Sequence, residues 1–525
     1  MAEEVKRRYS RLAWVALACL VVPMFASYFF DDMFSTISYL FEDPSRTALG
    51  WDAAGYGLYT SGYSVLCVFG GLVICGILLD KWGVRITGSI FVGMMAAGAL
   101  LVLHAVTAGY APAKSLRLAY VGCMFFGLGS EIAGTAVTRS IAKWFRDGPM
   151  ALAMGLQLAI ARLGTAVALV LAPRLVVENA GHVYSLAETA RPAVFGIGLM
   201  AAGLILWAFF VALDARRFPA KPGPKARRNA VDSSDGIVAT DSDSKAVTDT
   251  DHSSDDEAFR LKDVLKVLTN KNFWLLGLLC VLFYSSIVAF KKFAGAILIP
   301  RFGIPAATAG WMVSMLPFST VIFAPLFGLL VDKRGKGTRW MILGSILALI
   351  AHLLLAFAPA GIPFYGYLSM VFLGFGYSLV PAALWPSVPK IVPDKVLGTT
   401  YSLIYWVQNL GLLSFKWLAG VILGAAVGSA AAAAAGSAAA ASSAASSASS
   451  AAAASSAGSV AVASSASSAA ASSAGSVFSA GALSGPVRVE LMFVALCVAA
   501  VVIALLFARV SRRRPELRLD APSGK

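Results

Sequence analysis

Two ionisable side chains stand where the sequence around them is apolar. Glu131 lies in "FFGLGSEIAG" and Arg162 in "LQLAIARLGTA". An ionised group in hydrocarbon costs enough that it needs a partner or a task. The pair admits two readings. Glu131 and Arg162 could staple two helices as a mutual ion pair. Alternatively they form a bipolar clamp, the carboxylate taking an ammonium and the guanidinium a carboxylate in bidentate fashion. The clamp implies a zwitterionic cargo and is the reading carried forward, because intramembrane ionisable groups facing a cavity usually mark a substrate or ion path. Lys291, Lys292 and Lys416 are the other charges well inside apolar runs. Lys292 and Lys416 fall towards the ends of theirs, where snorkelling is expected. His352, in "LIAHLLLAF", has no acid on its own run, so a packed neutral ring is expected rather than a proton relay.

The elements that must position these groups are membrane helices. Of 525 residues, 58% are hydrophobic and 14% charged, far below the roughly 25% charged residues of a soluble domain. The net charge of +15 is spread over short connections between apolar runs rather than one stripe, which points to a lipid bilayer and not to nucleic acid. Six cysteines lie within apolar runs without CxxC spacing, so they read as small packed hydrophobes. No nucleophile-base-orienter constellation or metal-ligand cluster occurs, so no enzyme, cofactor or metal is expected.

At about 20 residues per crossing, spans are expected at 11–30, 55–79, 86–109, 116–140, 149–172 and 193–214. After a polar gap they resume at 272–298, 307–331, 339–360, 363–387, 397–424 and 488–509. The fold class is therefore an all-α membrane protein of twelve transmembrane helices in two six-helix bundles. Counted from the cytosolic turn near Arg146, Glu131 lies about 10 residues into span four and Arg162 about 13 into span five, roughly 15 and 20 Å at 1.5 Å per residue. Both depths are near the middle of a core about 30 Å thick.

The connections "KRRYSR", "DKWGVR", "RSIAKWFRDG", "DKRGKGTR" and "PKIVPDK" are basic, as is the tail "RVSRRRPELR". If spans alternate, all fall on one face, so both termini are expected in the cytosol. The domain division is 1–214 for the N-terminal bundle, 215–270 for a cytosolic linker with an interfacial helix, 271–510 for the C-terminal bundle, and 511–525 for a basic tail. Within the C-terminal bundle, residues 425–485 are Ala/Ser-rich and low in complexity, and read as a loop on the non-cytosolic face.

One device occurs twice: "GILLDKWGVR" (Gly76, Asp80, Gly83, Arg85) after span two, and "GLLVDKRGKGTR" (Gly328, Asp332, Gly335, Arg339) after span eight. A glycine lets helices approach, an aspartate ends the span, and a cation-rich glycine turn follows. Such loops can latch and release neighbouring helix ends. Two copies at matching positions resemble the major facilitator superfamily. That resemblance implies a mid-membrane site between two bundles that rock between outward-open and inward-open states.

Longer motifs are similar to the lysosomal dipeptide transporter branch: "FFGLGSE" with "AKWF", "GLQLAIARLG", "PLFGLLVDKRGKG", "FGYSLVPAALWPSVPKIVP" and "LGTTYSLIYWVQNLGL". The resemblance implies that the glutamate of "GSE" (Glu131) and the arginine of "ARLG" (Arg162) hold the amino and carboxyl ends of a dipeptide. It also implies uniport from lysosome to cytosol, and a glycosylated single-span accessory subunit as partner. Tyr59, Tyr63, Tyr284, Tyr377 and Trp385 are the aromatic candidates for the rest of the pocket, each equally able to serve helix packing. Lys291 and Lys292 depart from the branch pattern and would favour acidic peptides. The plasma membrane is the alternative location. Rival functions are a monocarboxylate or organic-anion exchanger, a proton-coupled symporter of the same fold, and a non-transporting nutrient sensor.

Overall fold

The computed structural model describes residues 2–41, 43–145, 150–176, 182–219, 267–392, 400–426, 484–514 and 519–520. Most of the linker expected at 215–270, nearly all of its interfacial helix, and almost the whole Ala/Ser-rich tract lie outside these residues.

The N-terminal helices are α1 (Ala2–Asp32), α2 (Ala53–Leu66), α3 (Leu72–Thr107), α4 (Pro112–Trp144), α5 (Met150–Leu175) and α6 (Leu186–Arg217). The C-terminal set is α7 (Lys271–Lys292), α8 (Ala294–Phe302), α9 (Ala306–Arg334), α10 (Gly337–Phe357), α11 (Pro363–Leu384), α12 (Thr400–Ala426) and α13 (Gly485–Arg513). Among the described residues, eleven helices are long and apolar enough to cross a bilayer.

The second crossing is the exception. The span expected over 55–79 is broken by a five-residue π turn, Cys67–Gly71, where Phe69 (φ −80°, ψ 35°) and Gly70 (φ 92°, ψ −5°) leave helical geometry. Gly70 takes the positive φ that a Cβ would resist. The break frees the Val68 carbonyl, which accepts a hydrogen bond from Trp406 Nε1 on α12 at 2.7 Å. The crossing then continues into α3, which turns at Gly83 (φ 74°, ψ 172°) to begin the third. The seventh crossing also departs from its expected single helix over 272–298. It steps at Phe293 from α7 into α8, whose end is capped by Gly303 in the left-handed region.

Small residues set the helix spacing. A Cβ on Gly122 of α4 would stand 2.8 Å from Gly98 O of α3, so these two helices pack backbone to backbone. The same device joins the two halves. A Cβ on Gly57 of α2 would lie 2.8 Å from Gly420 Cα of α12, and Gly310 of α9 has no room for one against Leu169 of α5. All four positions lie towards the face that carries the loop after α1, away from the basic connections. On the basic side, Gly76, Gly155 and Gly328 face no neighbouring protein atom within 4 Å.

Candidate functional site

The site begins with α4. Gly127 and Gly129 flatten its surface against α2 and α3, which seats Glu131 beside Tyr63. The Tyr63 hydroxyl lies 3.1 Å from Glu131 Oε1 and 3.2 Å from Ser130 Oγ. With one proton to give, it can donate to the carboxylate while accepting from the serine. Ser130 in turn pairs with Ser27 of α1 at 2.6 Å.

Arg162 is held from the other half of the protein. Its Nη1 donates to the Tyr377 hydroxyl of α11 at 2.8 Å. The guanidinium stands 5.2 Å from the Tyr377 ring and 5.7 Å from the Tyr28 ring, within cation–π range. Behind Tyr377, Tyr284 meets it edge to face at 6.0 Å. Trp385 Nε1 donates to the Tyr284 hydroxyl at 3.3 Å and stacks on Tyr405 at 5.0 Å. Glu131 and Arg162 form no ion pair with each other, and each is oriented by a tyrosine hydroxyl instead. The staple reading therefore does not describe this conformation.

A second charged group lies at the ends of α1 and α7. Lys292 Nζ meets Asp31 Oδ2 at 2.8 Å and Asp32 Oδ1 at 2.9 Å, and Lys291 Nζ meets Asp32 Oδ2 at 2.6 Å. Thr165 donates to Asp32 at 2.8 Å, and the Tyr56 hydroxyl donates to the Lys292 carbonyl at 3.0 Å. Lys292, expected to snorkel, is instead 1% exposed, because two aspartates across the bundle neutralise it in place. Asp31 and Asp32 were not among the expected site residues. Their signal is the "DD" closing the first apolar run opposite the "KK" closing the seventh.

A small cavity lies between this cluster and Arg162, with Thr165, Lys291, Leu316 and Tyr377 in its wall. Another small cavity is lined by Asp31, Tyr59, Thr60, Cys123, Phe126 and Lys292. The aromatic candidates thus divide. Tyr63, Tyr284, Tyr377 and Trp385 gather around Glu131 and Arg162. Tyr59 packs against Phe34, Trp51 and Tyr56 and borders the second cavity. Tyr28 and Tyr405 join the site although the sequence did not single them out. Lys416, the other lysine expected to snorkel, is 1% exposed, with its ammonium 5.3 Å from the centre of the Tyr63 ring.

His352 has an acid after all, from a different helix. Its Nδ1 lies 2.8 Å from Glu490 Oε2 of α13, and both side chains are fully buried. The pair packs against Phe290 and Phe493, away from Glu131 and Arg162.

The glycines of the repeated loops supply turns rather than close helix contacts. Gly83 and Gly335 take positive φ. Gly76 and Gly328 make no close approach here. Arg85 donates to Asp214 Oδ2 at 2.7 Å and to the Phe218 carbonyl, while Lys143 and Trp144 donate to the same Asp214 carboxylate. The second copy has a counterpart in the tail. Asp520 accepts from Thr338 N and Oγ1 at 2.9 Å and from Ser511 Oγ at 2.8 Å. In each half, then, an aspartate at or beyond the last helix's end fastens the start of the third crossing. The Asp80 side chain is outside the described structure. Asp332 has a partner among its neighbours.

Helices in two sets around a mid-bundle acid and base, with a loop signature repeated in each set, define a class. The sequence matches the Major Facilitator Superfamily over residues 24–415. The chain belongs to that superfamily and is a multi-pass membrane transporter. Among its relatives is the lysosomal dipeptide transporter MFSD1 of Danio rerio, 29% identical over 403 residues, which cover 76% of this chain and 78% of that protein. The Homo sapiens protein of the same name is 27% identical over 379 residues, 70% of each chain. Two solved structures share the fold. The nucleoside transporter NupG has a TM-score of 0.58 at 13% identity, covering 94% of this chain and 98% of that one. A POT family transporter in complex with 5-aminolevulinic acid has a TM-score of 0.58 at 15% identity, covering 96% of each.

Proposed function

We propose that this transporter carries dipeptides by alternating access, with Glu131 receiving the amino terminus and Arg162 the carboxylate. The observation that carries the reading is a partly buried acid and a partly buried base within the helical bundle that leave each other unpaired. Tyrosine hydroxyls and rings orient them without neutralising them. A buried charge lacking a counter-ion is costly, and a zwitterion supplies both missing partners at once. The aromatic surround of Tyr28, Tyr284, Tyr377, Trp385 and Tyr405 offers area to side chains of any kind, which suits a carrier reading backbone ends. The relatives named lysosomal dipeptide transporter support this cargo.

Arg162 gives the binding a mechanical consequence. It projects from α5 and is held by Tyr377 of α11, so a carboxylate that takes over the guanidinium also alters a contact between the halves. The glycine contacts and the Asp31–Lys292 cluster close the side away from the basic loops, and Gly76, Gly155 and Gly328 on the basic side stand free. This fits a conformation open towards the cytosol, with both termini there. The lysosomal membrane is the proposed location, uniport the proposed mode, and a glycosylated single-span subunit a proposed partner.

Uptake of labelled dipeptides by purified protein in liposomes tests the proposal. Dipeptide counterflow without an imposed proton gradient is expected. Movement of a monocarboxylate with no movement of any dipeptide would replace this reading with the anion exchanger. The reversed pair, Glu131→Arg with Arg162→Glu, is expected to remain inactive. Restored activity would show that the residues only staple helices.

A further inference from the structure

We infer that Lys416 is a specificity residue that selects an acidic side chain on the first residue of the transported dipeptide. The inference rests on the dipeptide reading above and adds to it a third charged group. Four lysines and arginines lie deep among the helices around the central site: Arg162, Lys291, Lys292 and Lys416. Lys291 and Lys292 are matched by Asp32 and Asp31 at 2.6 to 2.9 Å. Two acids cancel two bases, so these lysines have no charge to spare for an acidic peptide. Arg162 is assigned to the substrate carboxylate.

Lys416 is different. Its side chain is buried, yet it makes no hydrogen bond or ion pair among the described residues, and its ammonium rests only against the face of Tyr63. Asp31 and Asp32, the acids of the cluster, are already bonded to Lys291 and Lys292. A ring face offsets part of the desolvation of an ammonium and does not replace a carboxylate. The fold thus holds a buried cation that no carboxylate contacts among the described residues.

Tyr63 fixes where that counter-ion belongs. Its hydroxyl is on Glu131 and its ring is under Lys416, so one side chain joins the amino-end group to the uncompensated cation. In a dipeptide whose amino group is on Glu131, the first side chain leaves the carbon next to that amino group. It therefore falls beside Lys416, whereas the second side chain leaves near the carboxylate and Arg162. A glutamate or aspartate in first position completes a charge-assisted pair. A lysine there meets like charge.

The experiment is competition of unlabelled dipeptides against a labelled neutral dipeptide in proteoliposomes, using Glu-Ala, Ala-Glu, Ala-Ala and Lys-Ala. Wild-type protein is expected to prefer Glu-Ala to Ala-Glu by about tenfold and to bind Lys-Ala worst, the size expected of one hydrogen bond between charged groups. Lys416→Gln should bring Glu-Ala and Ala-Glu to within about threefold of each other, and Lys416→Arg should keep the order. Because the readout is a ratio between two isomers, a general loss of activity does not imitate it. Equal inhibition by Glu-Ala and Ala-Glu in the wild type, or a preference that survives Lys416→Gln, would overturn the inference while leaving dipeptide transport in place. If no dipeptide competes or moves at all, the proposed function itself fails, and the role of Lys416 fails with it. Should Lys416→Gln not fold, Lys416→Arg together with the wild-type isomer ratio decides the matter.

Discussion

At the ends of α1 and α7 four charges cancel, Asp31 and Asp32 against Lys291 and Lys292, with Thr165 completing the set. In the middle of the same bundle Glu131 and Arg162 are partly buried and Lys416 fully so, yet each is met only by tyrosine hydroxyls and rings. The chain gives both regions the same residue types and settles their roles by pairing. The cancelled cluster spans the two halves and is built to hold them together. The uncancelled site has charge left over and is built to receive it. Burial depth alone would not tell them apart, since Lys292 and Lys416 are each 1% exposed.

The comparison predicts unequal damage. Lys292→Ala leaves buried Asp32 with one lysine instead of two and half-buried Asp31 with none, and is expected to cost about 3 kcal/mol of stability, read as a large drop in thermal unfolding temperature in detergent. Arg162→Ala removes a charge that no protein acid depends on. Its expected result is a folded protein with dipeptide uptake reduced about 100-fold, within the range for truncating one side of a buried charged contact. If Arg162→Ala unfolded the protein as thoroughly as Lys292→Ala, the distinction between the two regions would be wrong. Tyr377→Phe deletes one hydrogen bond to the guanidinium and should weaken dipeptide competition about tenfold, with the larger share on carboxylate recognition. Asp520→Ala lies outside both regions. It removes the caps on Thr338 N and Oγ1 and should lower stability by about 1 kcal/mol, visible in the unfolding temperature and absent from the competition constants.

Much of this was legible in the sequence. Apolar runs located the crossings, and depth along them put Glu131 and Arg162 in the middle. Two copies of one loop motif implied two related halves. What the sequence could not supply was contact between helices distant along the chain. Asp31 and Asp32 read as an acidic end to the first run until α7 brought Lys291 and Lys292 against them. His352 looked isolated because its acid, Glu490, is on α13, and helical spacing reports only neighbours on one helix. Lys292 and Lys416 invited a snorkelling argument based on position in a run, which assumes lipid beside them. Both instead face protein. The break at Phe69 and Gly70 was hidden for another reason: its composition remains apolar, and the Val68 carbonyl is satisfied by Trp406, more than 300 residues later in the chain.

The claim that Glu131 and Arg162 read opposite ends of a dipeptide is tested most directly by end-blocked competitors. N-acetyl-Ala-Ala and Ala-Ala-amide would be compared with Ala-Ala on wild type, Glu131→Gln and Arg162→Ala, in binding measured on purified protein. In the wild type each block should weaken binding by about 100-fold, the loss expected when one buried charge is left without its partner. In Glu131→Gln the N-acetyl penalty should nearly vanish while the amide penalty persists, and in Arg162→Ala the reverse should hold. If both variants instead weakened free and blocked dipeptides by the same factor, the two charges would not be the ends of a clamp.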